Sequence, residues 1–503
     1  MRRRPARYLH RSRRAERKLR FILAAVLTAG WFSAVSFSAV SFRVGEAAAA
    51  ADQPPAPAPA AVSFHGAVRG LLQRRCQGCH QPAKRGGKLD LTTFEALAQG
   101  GRKGAELVPG KPDESLLYLV LTGSEKPQMP KDENPLSAEE IELIRRWIAE
   151  GAKDDTPESA RAALDVSKPP VYNVPPVVSS IAFSPDGSLL AAGGYHEVTV
   201  HRLTRVDPAA TPAVDATRVG RLVGLSSRIE TLAFSPDGKL LAAVGGSPGR
   251  FGEVQVWSVE ESRLTQSAMV GFDSLYGAAF SDDGKRLAFG ATDKSAQIYS
   301  LEEGKVLRRI DQHEDWVFGT GFSKDGKNLI TASRDRTLKL IESDTGSFID
   351  NITSITPGVL GGPLYTLARH PTEDKFLTAG EDGTPKLYKI VRTAARQIGD
   401  DNNLLQAYEK VPGTVTCVAF DATGARIAVG SSLGLVRLYE TATGKKQSET
   451  KLPGAVYTAR FHPSGLVGVG GFDGVVRFLD AQGKLVGELV PVPIGPPEVV
   501  RSF

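Results

Sequence analysis

Two cysteines and a histidine stand at a spacing that could hold a haem group. The pentapeptide Cys76-Gln77-Gly78-Cys79-His80 has the pattern C-x-x-C-H, which is typical of c-type haem attachment. Two thiols one helical turn apart can add to the two vinyl groups of the porphyrin. The adjacent histidine is then held beneath the iron as an axial ligand. The pattern therefore predicts one covalently bound haem c.

Other uses of a cysteine pair fit the sequence less well. A structural zinc site would need a second cysteine pair, and the chain has three cysteines in all. The third, Cys417, lies in the apolar segment 415–420, which is typical of a buried strand. A thioredoxin-like redox pair needs a strand–helix setting, which residues 62–80 do not offer. Three cysteines are also too few for a disulfide scaffold.

The second axial ligand of the iron is less firmly specified. Met129 lies in the proline-bounded segment 126–130, between two predicted helices, where a thioether could be presented to a metal. The alternatives are His65, the other histidine of this region, and a water molecule in an open site. Ligation by histidine and methionine raises the reduction potential and saturates the iron, which favours electron transfer over substrate chemistry.

The residues around this motif predict a small helical domain over 62–151. Its last helix starts with a capping box from Ser137 to Glu140, and apolar residues follow at helical spacing. Earlier helices are predicted over 63–75 and 113–121. Five apolar residues could line a haem pocket or could belong to an ordinary core: Leu89, Leu91, Phe94, Leu116 and Leu117.

Residues 71–152 resemble the planctomycete-type cytochrome c domain. The resemblance implies one covalent haem attached to Cys76 and Cys79, with His80 and Met129 as axial ligands. Its matching pieces follow the C-x-x-C-H motif in the expected order: Gly86-Gly-Lys-Leu-Asp-Leu91, Val108-Pro-Gly-Lys-Pro112, Ser115-Leu-Leu117, Met129-Pro130 and Trp147-Ile-Ala-Glu-Gly-Ala152.

Residues 177–490 contain internal repeats, each with a short strand, a landmark residue and a turn. The turn ends in glycine, except in a degenerate copy that has Arg369 at the landmark position. Each copy continues into a second strand of small residues and a third, alternating strand. Four antiparallel strands in a period of about 40–50 residues describe a propeller blade. The seven landmark residues are Phe183, Phe234, Phe280, Phe322, Arg369, Phe420 and Phe461.

This segment resembles a WD-repeat propeller, and the repeat count predicts seven blades. The fourth repeat is most similar, with His313, Ser333 and Asp335 at positions where that family has a hydrogen-bonded network. Ile341 stands where the tryptophan of the network belongs, and most other repeats lack the histidine. The resemblance therefore implies the fold and a platform for protein interaction. The predicted fold class is a small all-α cytochrome c-like domain followed by an all-β seven-bladed propeller.

The N-terminal residues 1–51 predict export. Residues 1–20 carry ten Lys/Arg against one acid, residues 21–42 carry no charge, and an alanine-rich exit follows. These are the parts of a secretory signal, although 21–42 is also long enough for a membrane tether. Both alternatives place the later residues in the periplasm or cell envelope. Residues 52–61 and 152–176 are predicted linkers, and 491–503 a tail.

Charge and motifs together narrow the function. The formal net charge of +6 comes from residues 1–51, because the rest of the chain has more acidic than basic side chains; nucleic-acid binding is therefore not indicated. We expect an electron-transfer cytochrome with an unidentified redox partner and an unidentified protein docked on the propeller. The alternatives are a haem oxidoreductase whose propeller holds a second cofactor or substrate, and a haem-based redox sensor.

Overall fold

The computed structural model describes residues 61–81, 84–131, 134–157, 171–354, 361–393, 395, 401, 403–492 and 494–495. The predicted signal segment 1–51 and most of the linker 52–61 lie outside these residues. Residues 60–503 form one compact unit, in which a small N-terminal domain packs on a β-propeller. No helix among the described residues is long and apolar enough to cross a membrane.

Short helices and one two-stranded ladder build the N-terminal domain. A π-helical turn, Phe64–Val68, leads into the first α-helix. Single 3₁₀ turns lie at Gly86–Lys88 and Pro112–Glu114. The regular elements are α1 Arg69–Arg75, β1 His80–Gln81, β2 Lys84–Arg85, α2 Phe94–Gln99, α3 Leu116–Thr122 and α4 Ala138–Ala149.

The longest of these helices begins where the sequence predicts. Ser137 caps α4 by accepting a hydrogen bond from the amide of Glu140, whose side chain bonds back to the Ser137 amide. This capping box satisfies two backbone donors that the first helical turn leaves without partners. Trp147 of α4 is buried and stacks on Phe64 at 5.3 Å between ring centroids. The capped helix thereby closes one side of the domain core.

Five four-stranded sheets follow in the propeller, each made from consecutive strands. Each is antiparallel, as a chain that meanders outward from the propeller axis requires. Their strands are β9 Leu275–Phe280, β10 Arg286–Ala291, β11 Ala296–Ser300, β12 Lys305–Ile310, β13 Val317–Phe322, β14 Asn328–Ser333, β15 Leu338–Glu342, β16 Phe348–Asn351, β17 Leu364–Arg369, β18 Lys375–Gly380, β19 Lys386–Lys389, β20 Leu404–Ala407, β21 Val415–Phe420, β22 Arg426–Ser431, β23 Leu435–Glu440, β24 Lys446–Lys451, β25 Val456–Phe461, β26 Val467–Gly471, β27 Val476–Leu479 and β28 Leu485–Leu489.

One further sheet has six strands and contains the first two sequence repeats. Its strand Val214–Phe234, β5, is 21 residues long. The first part of β5 pairs with Leu189–Val206, β4, and its last part, from Arg228, pairs with Leu240–Ser247, β6. The outer strand of one repeat thus continues into the inner strand of the next. The six strands are β3 Val178–Phe183, β4 Leu189–Val206, β5 Val214–Phe234, β6 Leu240–Ser247, β7 Phe251–Ser258 and β8 Arg263–Gly271.

The predicted fold class needs correction on two counts. The propeller has six blades, not seven, because backbone hydrogen bonds join the first two repeats in a single six-stranded sheet. Counting repeats cannot reveal this, since the fusion depends on strand length rather than on the landmark residues. The N-terminal domain is also not all-α: its α-helices contain 7, 6, 7 and 12 residues, and β1 pairs with β2 beside the haem motif.

The repeated turn explains why the landmark sequence recurs. In the first copy, the Ser184 hydroxyl donates to Asp186, whose carboxylate accepts from the amide of Ser188 at 3.0 Å. Gly187 adopts a φ of +75°, a left-handed conformation that glycine takes at low cost. Asp237 and Gly238 repeat the arrangement in the second copy. Each turn therefore ties a first strand to a second.

Side-chain hydroxyls connect the inner strands around the axis. Amides of one repeat donate to a hydroxyl of the repeat before it: Leu232 to Ser180 at 3.0 Å and Gly277 to Thr231 at 2.9 Å. The same bond closes the ring, since the Ile181 amide donates to Thr458 at 3.2 Å. These hydroxyls satisfy backbone donors that have no neighbouring strand on the axial side.

Candidate functional site

The C-x-x-C-H motif forms a tight loop directly after α1. The Cys76 amide donates to the Leu72 carbonyl at 2.9 Å and so extends the helical pattern by one residue. The amides of Cys79 and His80 then both donate to the Cys76 carbonyl, at 3.2 and 3.1 Å. Cys76 is partly buried, and Cys79 is exposed. The loop thereby brings both thiols and the histidine to one end of the helix.

Backbone contacts orient the His80 ring. Its Nδ1 lies 2.9 Å from the Gly86 carbonyl oxygen, and because a carbonyl oxygen only accepts, Nδ1 is the protonated nitrogen. Nε2 is then the ring nitrogen with the lone pair that a metal requires. A hydrogen bond of this kind from a ligating histidine to a carbonyl fixes the ring and raises its basicity.

Gly86 is needed for this orientation. A Cβ atom at position 86 would lie 3.1 Å from the Cys79 carbonyl oxygen and 3.4 Å from Cε1 of His80. The Gly86 amide also donates to the Cys79 carbonyl at 2.8 Å. The absence of a side chain at position 86 therefore allows the backbone to pack against one side of the His80 ring.

Most of the predicted pocket residues share one hydrophobic cluster with the motif. Leu89, Leu91 and Leu117 are buried in it, and Phe94 packs against it. Cys76 and Met129 also contact this cluster as partly buried residues. Leu116 is partly exposed and lies outside the cluster. The structure thus brings the first thiol, the methionine and four of the five predicted apolar residues to one core.

The two candidate distal ligands lie on different elements. Met129 follows α3, and its amide donates to the Val120 carbonyl at 2.9 Å, which ties its loop to the helix. His65 lies in the turn before α1, where its Nδ1 accepts from Arg69 at 3.3 Å and its amide donates to Asp155 at 2.7 Å. Met129 packs against the apolar cluster that Cys76 also contacts.

Two glutamines beside the motif were not anticipated from the sequence. Gln77 is buried and donates to the Leu91 carbonyl at 2.6 Å, so it links the attachment loop to the predicted pocket. Gln81 is fully buried, and neither polar atom of its side chain has a hydrogen-bond partner among the described residues. Gln77 is an x position of C-x-x-C-H and Gln81 directly follows the motif, and the motif carries no signal about burial at either position.

The attachment loop contacts the propeller at strand β8. A Cβ atom on Gly78 would come within 2.7 Å of the Ser267 carbonyl oxygen. Beside it, the Arg74 guanidinium lies 5.8 Å from the centroid of the Phe272 ring. The Ser267 hydroxyl donates to the fully buried carboxylate of Glu253 at 2.5 Å, which anchors β8 at the point of contact.

Two histidines of the propeller, His313 and His462, make hydrogen bonds that hold strands and turns together. His313 bonds to Asp335 and to Thr331, each at 2.7 Å, so Thr331 rather than Ser333 supplies the hydroxyl of the predicted network. His462 bonds to the Gly187 carbonyl at 2.9 Å, across the joint between the last and first repeats. Among the described residues there is no group of three or more His, Cys, Asp or Glu side chains that could hold a metal ion.

Comparisons with known proteins agree with this division of the chain. The family model "Planctomycete cytochrome C" matches residues 76–133, and the model "WD domain, G-beta repeat" matches residues 171–198, 304–342 and 405–440. A WD repeat-containing protein of Synechocystis sp., described as uncharacterized, is 27% identical over 113 residues. That match covers 22% of this chain and 29% of the relative. The chain therefore combines a Planctomycete cytochrome C domain with WD repeats, and the repeats form a propeller.

Proposed function

We propose that this protein is an exported c-type cytochrome that carries one covalent haem for electron transfer, with the propeller as a docking platform for a partner protein. The observation that carries the proposal is the His80 ring, held by the Gly86 carbonyl beside two cysteines at haem-attachment spacing. A bound haem c would supply a one-electron couple at its iron.

Different residues of the N-terminal domain would bind the porphyrin, ligate the iron and surround the haem. Cys76 and Cys79 would hold the porphyrin covalently, and His80 would ligate the iron through Nε2. Met129 would supply the opposite thioether, since it shares a core with Cys76. Leu89, Leu91, Phe94 and Leu117 exclude water from that core, and a dry environment tunes the potential of a haem.

The third cysteine is unsuited to haem attachment. Cys417 is buried in strand β21 of the propeller, and burial raises the pKa of its thiol to about 11. A thiol is reactive as the thiolate, so Cys417 stays protonated and inert at neutral pH. The division between two cysteines at haem-attachment spacing and one structural cysteine supports a single haem per chain.

Saturated ligation is the reason to prefer electron transfer to catalysis. With His80 and Met129 on opposite sides, the iron would have no position for a substrate. The proposed location is the periplasm or cell envelope, because residues 1–51 have the pattern of an export signal. Electrons would then pass to or from a partner protein rather than to a substrate of this chain.

The number of haems is tested by expressing the chain with a haem-maturation system. Intact-mass analysis and a pyridine haemochrome spectrum should show one covalent haem per chain. Cys76→Ala combined with Cys79→Ala should abolish it, whereas the control Cys417→Ser should keep it. Bare thiols at 76 and 79 in the wild-type protein would refute the proposal, and a second chromophore would favour the oxidoreductase alternative.

The distal ligand is tested separately by absorption spectra of the haem-loaded protein. Met129→Ala should convert a low-spin, six-coordinate spectrum to a high-spin or water-ligated one, and it should lower the reduction potential. His65→Ala is the matched control and should leave both readouts unchanged. If the two variants exchange these effects, His65 is the ligand and the assignment of Met129 is wrong.

A further inference from the structure

A cavity of about 860 Å³ lies on the propeller axis. Inner strands of all six sheets contribute to its wall, and its volume is in the range of small-molecule pockets. Three aromatic residues at its wall form an edge-to-face series: Tyr276 lies 5.0 Å from Phe318, and Phe318 lies 5.3 Å from Tyr365, between ring centroids.

One arginine in this cavity breaks the pattern of the repeats. Arg460 of β25 lines the cavity and directly precedes the landmark residue Phe461 of the last repeat. The corresponding positions of the other six repeats hold only small residues: Ala182, Ala233, Ala279, Gly321, Ala368 and Ala419. The fold therefore does not need an arginine here, and Arg460 calls for another explanation.

The Arg460 guanidinium has no carboxylate partner among the described residues. Its hydrogen bond goes from Nη1 to the carbonyl of the preceding residue, Ala459, at 2.9 Å. Two arginines that are more deeply buried than the partly exposed Arg460 each have a carboxylate partner: Arg437 pairs with Glu449 and Arg477 with Glu488. Burial lowers the pKa of Arg460, but an arginine keeps its charge in proteins. The charge therefore lacks a counter-ion.

The carboxylate of Glu230 does not serve as the counter-ion of Arg460. It lines the same cavity but stands four residues before its landmark, as Tyr276 does, whereas Arg460 stands one residue before its own. The three-residue difference puts the two backbone levels about 10 Å apart along the strands. Burial raises the pKa of Glu230, and the charges that act on it are those of Arg228 and Asp273. The two charged groups thus lie at separate depths.

We infer that the axial cavity binds an elongated organic anion whose carboxylate or phosphate group pairs with Arg460 and whose apolar body extends about 10 Å along the axis to the level of Tyr276, Phe318 and Tyr365. A guanidinium offers planar, bidentate donors to either oxyanion, and aromatic rings favour a flat apolar body. This site is independent of the haem, so it adds a ligand to the propeller without depending on the proposed electron transfer.

The test uses the full chain and three probes: inorganic phosphate, 4-biphenylyl phosphate and biphenyl-4-carboxylate. Calorimetric titration should show that one of the two biphenyl anions binds, and that Arg460→Ala weakens the binding at least about tenfold, the effect of losing a charge-assisted hydrogen bond. Because six repeats have Ala or Gly at this position, the variant should fold. Arg263→Ala, an exposed arginine on β8, is the matched control and should bind normally.

Three results would overturn the inference. They are the absence of binding by both organic probes, equal binding to the wild type and Arg460→Ala, and binding of inorganic phosphate as tight as that of 4-biphenylyl phosphate. A second readout is the melting temperature without ligand. Removal of a partly buried charge without a carboxylate partner should leave it unchanged or raise it, and a lower melting temperature for Arg460→Ala would show that the arginine is structural instead.

Discussion

The N-terminal domain and the propeller are stabilised by different kinds of interaction. In the propeller, hydroxyl side chains accept hydrogen bonds from backbone amides of the inner strands, and hydrogen bonds made by Thr458 and His462 close the ring. The N-terminal domain has short helices around a single apolar cluster, and domains of this size bury a smaller fraction of their surface than larger domains do. The comparison teaches that the propeller is stabilised by closure of its ring, whereas the smaller domain depends on one core and would gain stability from the haem that we propose.

The largest effect should come from preventing haem attachment. Cys76→Ala with Cys79→Ala should destabilise the N-terminal domain by several kcal/mol, because a ligand bound only by the folded state contributes its binding free energy to folding. The propeller should be unaffected. Calorimetry should show the loss or downward shift of one transition and an unchanged second transition. A uniform shift of both would mean that the two regions unfold as one.

Gly78→Ala should break the contact between the two regions while each stays folded. The new Cβ would lie 2.7 Å from the Ser267 carbonyl oxygen, and a backbone atom cannot move as a side chain does. We expect faster proteolysis of the linker 152–176 and a larger radius of gyration in solution scattering. The control is Gly70→Ala in α1, where the nearest atom is the flexible end of Arg74 at 3.3 Å. Identical scattering curves for the two variants would refute the docking contact.

Thr458→Val should loosen the closure of the propeller. It removes the hydroxyl that accepts from the Ile181 amide, and a buried amide without an acceptor costs about 1–3 kcal/mol. Denaturant unfolding should show this loss, with Thr366→Val as the comparison, because Thr366 accepts from the Val418 amide at an internal joint. A neutral Thr458→Val beside a destabilising Thr366→Val would show that closure does not depend on this bond.

The smallest effect concerns acid stability. Burial alone would raise the pKa of Asp335, but hydrogen bonds from His313, Thr337 and the Glu314 amide outweigh it and hold the pKa well below its usual range. The ionised group therefore stabilises the propeller above about pH 4, and this contribution is lost as the pH falls through the depressed pKa. Asp335→Asn should remove about 1–3 kcal/mol at neutral pH and flatten the decline below pH 4, measured by urea unfolding.

Local patterns were readable from the sequence because they act over a few residues. The capping box of α4 is confirmed, and the landmark turns are explained by hydrogen bonds within five residues. The number of blades was wrong because the length of β5 is set by pairing on both of its ends. Gln77 and Gln81 were missed because their burial depends on packing that no motif encodes. Arg460 could have been noticed by aligning the seven repeats.

The six-stranded sheet has a consequence for motion. Its edge strand β8 contacts the C-x-x-C-H loop at Ser267, and its strand β5 belongs to two repeats. Amides of residues 214–234 should therefore exchange with deuterated solvent together, as one cooperative element. A force applied at this contact would be distributed over a sheet of two repeats instead of over a single four-stranded blade.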